Sequence, residues 1–223
     1  MIKKIFLGLV LFFSLHSFGQ KKITIKFEHF ANGKKIVLND SIYTNTFGEH
    51  YNITKLKYYV SNINFTTKGQ WEIGKEVYLI DAAKEDSIIK IDGRKIVGIS
   101  FTIGVDSALN CSGAQSGALD PLNDMFWTWN NGYVFFKLEG TSASSTADKN
   151  RIEQHIGGYK GAYKAQRKIY LPITKMNNAI TIQVDMDKYF KDLKIAETPV
   201  IAAPGKQAKI IADNFVGLFK IKY

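Results

Sequence analysis

A mainly β fold is predicted: a single-domain antiparallel β-sandwich with long loops and one or two short C-terminal helices. Three observations carry that expectation. Val97, Ile99, Phe101, Ile103 and Val105 alternate without a break, the period of a strand with one buried face. Asn32-Gly33 lies between two β-rich runs, a strong short-range hairpin signal. Helical stripes of apolar residues are confined to the C-terminal part, and no repeat or composition break divides the chain.

Each element follows in order. Ile23, Ile25 and Phe27 alternate with Thr24, Lys26 and Glu28, so the first strand carries His29 on its apolar side. Ile36-Val37-Leu38 returns from the Asn32-Gly33 turn, and residues 39–49 are polar and turn-rich. Residues 51–67 form a long β stretch whose apolar phase changes near Tyr58-Tyr59, which a bulge there would reconcile. Lys68-Gly69 turns the chain towards a short strand at Val77–Ile80, and the 97–105 strand follows. Residues 106–124 make a loop rich in Ser, Gly, Ala, Asn and Asp, longer than most connections and so a functional candidate. Met125–Trp129 leaves it extended, Asn130-Asn131-Gly132 turns, and Val134, Phe136 and Leu138 mark another strand. Beyond a low-complexity loop at 141–150, strands are expected at Ile152–Ile156, Ile169–Leu171 and Ile180–Met186. Asp187 is placed to cap a short helix through Leu193. Ala208, Ile211, Ala212 and Phe215 form the stripe of a second helix, with Gly217 as its stop, and Leu218–Ile221 closes the chain as an edge strand.

With 223 residues the chain is long enough to bury a sizeable core. Its first residues have the layout of a secretory signal: Lys3 and Lys4, the apolar run Ile5–Phe13, then a small polar stretch with a processing site between Gly19 and Gln20. Residues 1–19 are therefore expected to be the address and 20–223 the domain, in the periplasm or secreted. The apolar run is too short to span a bilayer. The full chain carries 30 Lys and Arg against 20 Asp and Glu, a net charge of +10, but the lysines are scattered, which argues against nucleic acid as a partner. Cys111 has no intrachain partner and is expected to be buried and inert.

Enzyme motifs fail. There is no Gly-x-Ser-x-Gly elbow, no phosphate loop and no His-Glu-x-x-His, and the acidic pairs sit in polar contexts, so the chain is not read as an enzyme. Three histidines follow the leader: His29 at a strand end, His50 beside a turn, and His155 on the side of Glu153 and Gly157, opposite Ile152 and Ile156. Met125, Trp127 and Trp129 share one side of an extended segment, which suits core packing or, with imidazoles, a soft site for Cu(I). Asp106, Asp120, Asn123 and Asp124 offer oxygen donors to a hard cation without the spacing of a helix–loop–helix calcium site.

Several motifs occur together in order: Lys57-Tyr58-Tyr59-Val60-Ser61-Asn62-Ile63, Phe101-Thr102-Ile103-Gly104-Val105-Asp106, Ser112–Pro121, Met125-Phe126-Trp127-Thr128-Trp129-Asn130, Gly132-Tyr133, Leu138-Glu139-Gly140 and His155-Ile156-Gly157-Gly158. In this combination, over nearly all of the chain after the leader, the sequence resembles the methanobactin periplasmic binding protein (MbnP)-like family. The resemblance implies an exported, copper-associated protein in which a partner di-haem, peroxidase-like enzyme oxidises one tryptophan to kynurenine. It implies Trp127, or else Trp129, as the modified residue. His50 and His155 are the first carried-over imidazoles and His29 the third, with Asn130, Gln154 and Tyr133 orienting the rings. Relatives can carry a histidine two residues after the modified tryptophan, where this chain has Trp129, so one imidazole fewer is implied. The alternative is a metal-free module that recognises a protein or small ligand through the 106–124 loop and the Met125–Trp129 strand.

Overall fold

The computed structural model describes residues 22–67, 70–73, 76–84, 88–92, 96–128, 131–175 and 179–223. The expected export segment, the expected turn at Lys68-Gly69, and Trp129 and Asn130 lie outside the described residues. In chain order the strands are β1 (Lys22–Ala31), β2 (Lys34–Lys35), β3 (Ile42–Thr44), β4 (His50–Asn52), β5 (Lys55–Thr67), β6 (Gln70–Ile73), β7 (Val77–Asp81) and β8 (Ile88–Asp92). They continue as β9 (Gly98–Ile103), β10 (Phe126–Thr128), β11 (Gly132–Thr141), β12 (Arg151–Gly157), β13 (Arg167–Pro172), β14 (Ala179–Asp185), β15 (Val200–Ile201) and β16 (Phe219–Lys222). The helices are α1 (Ser107–Cys111) and α2 (Lys206–Leu218).

The strands form two facing sheets and a small hairpin. One sheet runs β16-β14-β1-β2 with β8 also on β1, and the other runs β13-β9-β5-β11-β12-β15 with β6 and β7 along β5 and β10 on β11. β1 alternates as its sequence requires, with Ile23, Ile25, Phe27 and His29 buried. Asn32 and Gly33 take positive φ of 50° and 72°, the conformation that a two-residue hairpin demands. Aromatic rings fill the space between the sheets. Tyr58 stacks on Phe136 at 5.2 Å, Phe136 on Phe215 at 4.9 Å, and Phe27 meets Tyr58 edge-on at 6.0 Å. Helix α2 closes one side with the predicted stripe of Ala208, Ile211, Ala212 and Phe215, all buried.

Several local expectations are corrected. The sandwich is not purely antiparallel, because β1 pairs with β14, and β12 with β15, in parallel. The return strand after the first hairpin ends at Lys35, and the 39–49 stretch contains β3, which pairs with β4. The irregularity in β5 falls between Ser61 and Asn64, where Asn62 takes φ 49°, an angle that asparagine tolerates. It stands a few residues beyond Tyr58-Tyr59 and reconciles the phase of Leu56, Tyr58 and Val60 with that of Ile63 and Phe65, while both faces of β5 are covered at the two tyrosines. Tyr58 lies in the inter-sheet core and Tyr59 packs edge-on to Tyr133 on the other side, at 5.9 Å. No helix runs from Asp187 to Leu193. The chain makes a 3₁₀ turn at Met186–Lys188, and Tyr189 and Phe190 are both buried, one on Phe136 and the other on Tyr51.

Candidate functional site

The outer face of the larger sheet, turned away from the aromatic core, holds the charged groups that matter. β11 lies between β5 and β12, with Lys137 opposite both Lys57 and His155, and Glu139 opposite Lys55 and Glu153. By pattern alone Lys137 is the polar alternate of a half-buried strand. In the fold it is only 3% exposed. A buried ammonium needs anionic partners. Lys137 Nζ lies 3.0 Å from Asp124 Oδ2 and 3.6 Å from Glu139 Oε1. Lys55 Nζ bridges the same pair, at 2.9 Å from Asp124 Oδ2 and 3.0 Å from Glu139 Oε2.

These cations fasten the end of the 106–124 loop to the sheet. Lys57 Nζ donates to the Asn123 carbonyl at 3.2 Å and lies 3.6 Å from Asp81 Oδ2. At the loop's start, Asp106 caps α1 by accepting from the Leu109 amide at 2.9 Å. Asn110, buried in that short helix, accepts from the Tyr133 amide at 3.0 Å. Asp120 accepts from the Leu122 amide, and Asn123 donates to the Gly117 and Ala118 carbonyls. The three carboxylates proposed for a hard cation, Asp106, Asp120 and Asp124, are thus engaged in a cap, a turn and ion pairs. Cys111 corrects the expectation of a buried thiol, because it is exposed at the end of a helix whose buried residue is Asn110.

Four of the five sequence-nominated residues are described, and His29 and His50 lie apart from the others. His29 is in the core between the sheets, its Nε2 3.0 Å from the Tyr58 hydroxyl, and burial pushes its imidazole pKa down to about 4. His50 is exposed on the β3–β4 hairpin, with Nδ1 2.9 Å from Thr44 Oγ1. Its carbonyl accepts from Ser142, five residues along the chain from Lys137, which sets it about 17 Å from the His155 level of the sheet. Trp129 lies outside the described residues. Trp127 comes closest to this set at β12, beside Gly157, two residues from His155. A methyl group placed on Gly157 would lie 2.6 Å from Trp127 Cζ3 and 2.8 Å from the Tyr133 carbonyl, so the indole edge rests directly on that glycine. Gly157 follows His155 by two residues on β12, about 7 Å along the strand, where the β11–β12 register shifts.

His155 Nε2 lies 3.0 Å from Glu139 Oε1. That hydrogen bond, helped by Lys55 and Lys137 against the effect of burial, holds the Glu139 carboxyl down at about 2. Burial raises the Asp124 carboxyl, but the hydrogen bonds from Lys55 and Lys137 outweigh it and bring it to about 2. Two of the residues expected to orient the rings, Gln154 and Tyr133, do other work. Gln154 donates from Nε2 to the Thr198 carbonyl at 2.6 Å, and the Tyr133 hydroxyl donates to the carbonyls of Gly113 and Leu119. Glu139, Lys137 and Gly157 were the residues that reasoning on the sequence missed. Leu138-Glu139-Gly140 stood in the motif set, but its meeting with His155 depends on the β11–β12 register.

Among the described residues, no group of three or more His, Cys, Asp or Glu side chains could hold a metal ion. At Trp127 the unmodified side chains supply one imidazole, while both oxygens of Glu139 already face cations or His155. An indole N–H is a donor and not a ligand. As encoded, this donor set does not complete a copper site. No helix among the described residues is long and apolar enough to cross a membrane.

A family model described as MbnP matches residues 20–204. A search of curated protein sequences gives no match. Among solved structures, MbnP from Methylosinus trichosporium is similar over 82% of each chain, with a TM-score of 0.63 at 14% identity, a likeness of fold.

Proposed function

This chain belongs to the MbnP family, and from that premise we propose that it is an exported, copper-associated binding protein of the periplasm and not an enzyme. Its site is Trp127 beside His155, completed when a di-haem, peroxidase-like partner oxidises Trp127 to kynurenine. In that step the indole C2–C3 double bond is cleaved to two carbonyls, a four-electron oxidation that adds two oxygen atoms while two peroxide molecules are reduced at the partner's haems, and hydrolysis of the resulting formamide releases C2 as formate. An aryl amine and a ketone remain where an apolar ring had been. Cu(I) takes soft and imidazole donors at low coordination number, so an amine next to one neutral imidazole offers what the unmodified chain lacks. The observation that supports this reading is the contact of the Trp127 ring edge with Gly157, two residues along β12 from His155.

The test is a Cu(I) competition titration against a colorimetric chelator, on protein whose Trp127 state is read by intact mass and peptide mapping. Oxidised protein, having lost one carbon and gained one oxygen, is expected to hold Cu(I). His155→Ala and Trp127→Phe are each expected to lose it. A silent titration of protein oxidised at Trp127 overturns the reading.

A second reading keeps the scaffold and drops the metal. It has support in a cleft of about 260 Å³ between β7 and the loop, lined by Val77, Leu79, Asp81, Lys84, Gly117 and Asn123. Leu122, 92% exposed at the loop tip, stands beside it. Retention of a small ligand or protein that Lys84→Glu abolishes and Trp127→Phe leaves alone would favour this module.

A further inference from the structure

We propose that Glu139 is the positioning residue of His155: its carboxylate accepts the Nε2–H and leaves Nδ1 as the ring nitrogen with a free lone pair. The inference rests on the reading of His155 as a ligand and adds to it which of the two nitrogens is available. The geometry has three parts. Glu139 is diagonal to His155 across the β11–β12 register, and its Oε1 lies 3.0 Å from Nε2. The carboxylate cannot turn away, because Oε2 is 3.0 Å from Lys55 Nζ and Oε1 is 3.6 Å from Lys137 Nζ. Lys137 is itself fixed, 3% exposed and held 3.0 Å from Asp124 Oδ2.

Facing two ammonium groups, an ionised carboxylate is an acceptor only, so the nitrogen opposite it has to be the donor. A ligating histidine commonly gives its other N–H to a carboxylate in this way, which fixes the ring's tautomer and orientation. The charged groups around the pair are Lys55, Lys57, Lys137, Asp124 and Glu153, from β5, β11, β12 and the loop end. In this lattice the loop end and the lysines serve to hold one carboxylate still, and that carboxylate holds one imidazole.

The experiment reads ring nitrogens in metal-free protein, by long-range proton–nitrogen NMR at neutral pH, with native protein and Glu139→Gln compared. Native His155 is expected to show a protonated Nε2 and a bare Nδ1. In Glu139→Gln the lysines retain the amide oxygen, so the amide N–H₂ faces the ring, and the proton is expected to move to Nδ1. A native ring protonated at Nδ1, or at both nitrogens, overturns the proposal even where the variant fails to fold. So does an unchanged tautomer in a folded Glu139→Gln. In Trp127-oxidised protein, Cu(I) affinity is expected to fall about 10–100-fold in Glu139→Gln. Native oxidised protein that takes no Cu(I) while its His155 tautomer follows Glu139 would overturn the copper reading and leave the positioning role standing.

Discussion

His29 and His155 are almost equally hidden, at 7% and 9% exposure, yet they lie on opposite sides of the larger sheet and in opposite kinds of surroundings. His29 sits among aromatic rings with a neutral Tyr58 hydroxyl as its partner, so burial acts on it almost alone and disfavours its charged form. His155 faces an ionised carboxylate inside a lattice of lysines. Burial by itself therefore says little about what a histidine can do, and the partner decides. The inner face holds the sandwich together through ring packing, while the outer face gathers paired ionic groups.

The largest expected effect tests the inner face. Phe136 is fully buried and stacks on Tyr58, Tyr189 and Phe215. Phe136→Ala should cost about 3–5 kcal/mol in urea unfolding, from lost transfer energy and the cavity left behind. A loss under about 1 kcal/mol would show that the rings do not form the core described.

Next comes the pH dependence that separates the two faces. The folded His29 pKa of about 4 lies below its ordinary 6.5. Between those values the unfolded chain binds the extra proton, so stability falls as pH drops through this window and the loss is complete near pH 4. The size is about 3 kcal/mol. His29→Gln should flatten that limb and leave the one below it. The lower limb belongs to the outer face, where Glu139 is held at about 2 against an ordinary 4.5. Its contribution is present above about pH 4.5 and is lost as pH falls towards 2. Unfolding followed across both windows, with and without each substitution, assigns the limbs to their faces.

Gly157→Ala strikes the end of β12 at the indole. The added methyl meets a backbone carbonyl and the Trp127 ring, so the sheet or the ring has to move, at a cost of about 1–3 kcal/mol. A shift in tryptophan fluorescence at unchanged overall fold is the expected signature, and native fluorescence with native stability would remove Trp127 from β12. The smallest effect is that of Glu139→Gln on stability near neutral pH. The carboxylate is 24% exposed and screened, so about 1–2 kcal/mol is expected, shrinking in high salt.

Much of this was legible in the sequence, for reasons that differ from residue to residue. Alternation exposed β1, β9 and β11 because each buries one whole side, and the α2 stripe was visible because four small or apolar residues repeat at helical spacing. The side on which His155 stands could be read from the same period. Lys137 could not, since its burial comes from Asp124 folding back from a distant loop. Glu139 could not either, because its partnership exists only once the β11–β12 register is fixed. The bulge in β5 was legible but its place was not, because Tyr58 and Tyr59 are buried on opposite sides of the strand and hide where the phase slips.

The parallel pairing of β1 with β14 has a consequence for how the chain comes to be folded. The first strand to emerge finds its long neighbour only among the last residues made, so the smaller sheet closes when nearly everything else is in place. Until that moment Ile23, Ile25 and Phe27 have no cover from β14 or β16. Loss of the C-terminal segment would thus leave the beginning of the polypeptide unprotected, and a protease added during refolding should cut there first.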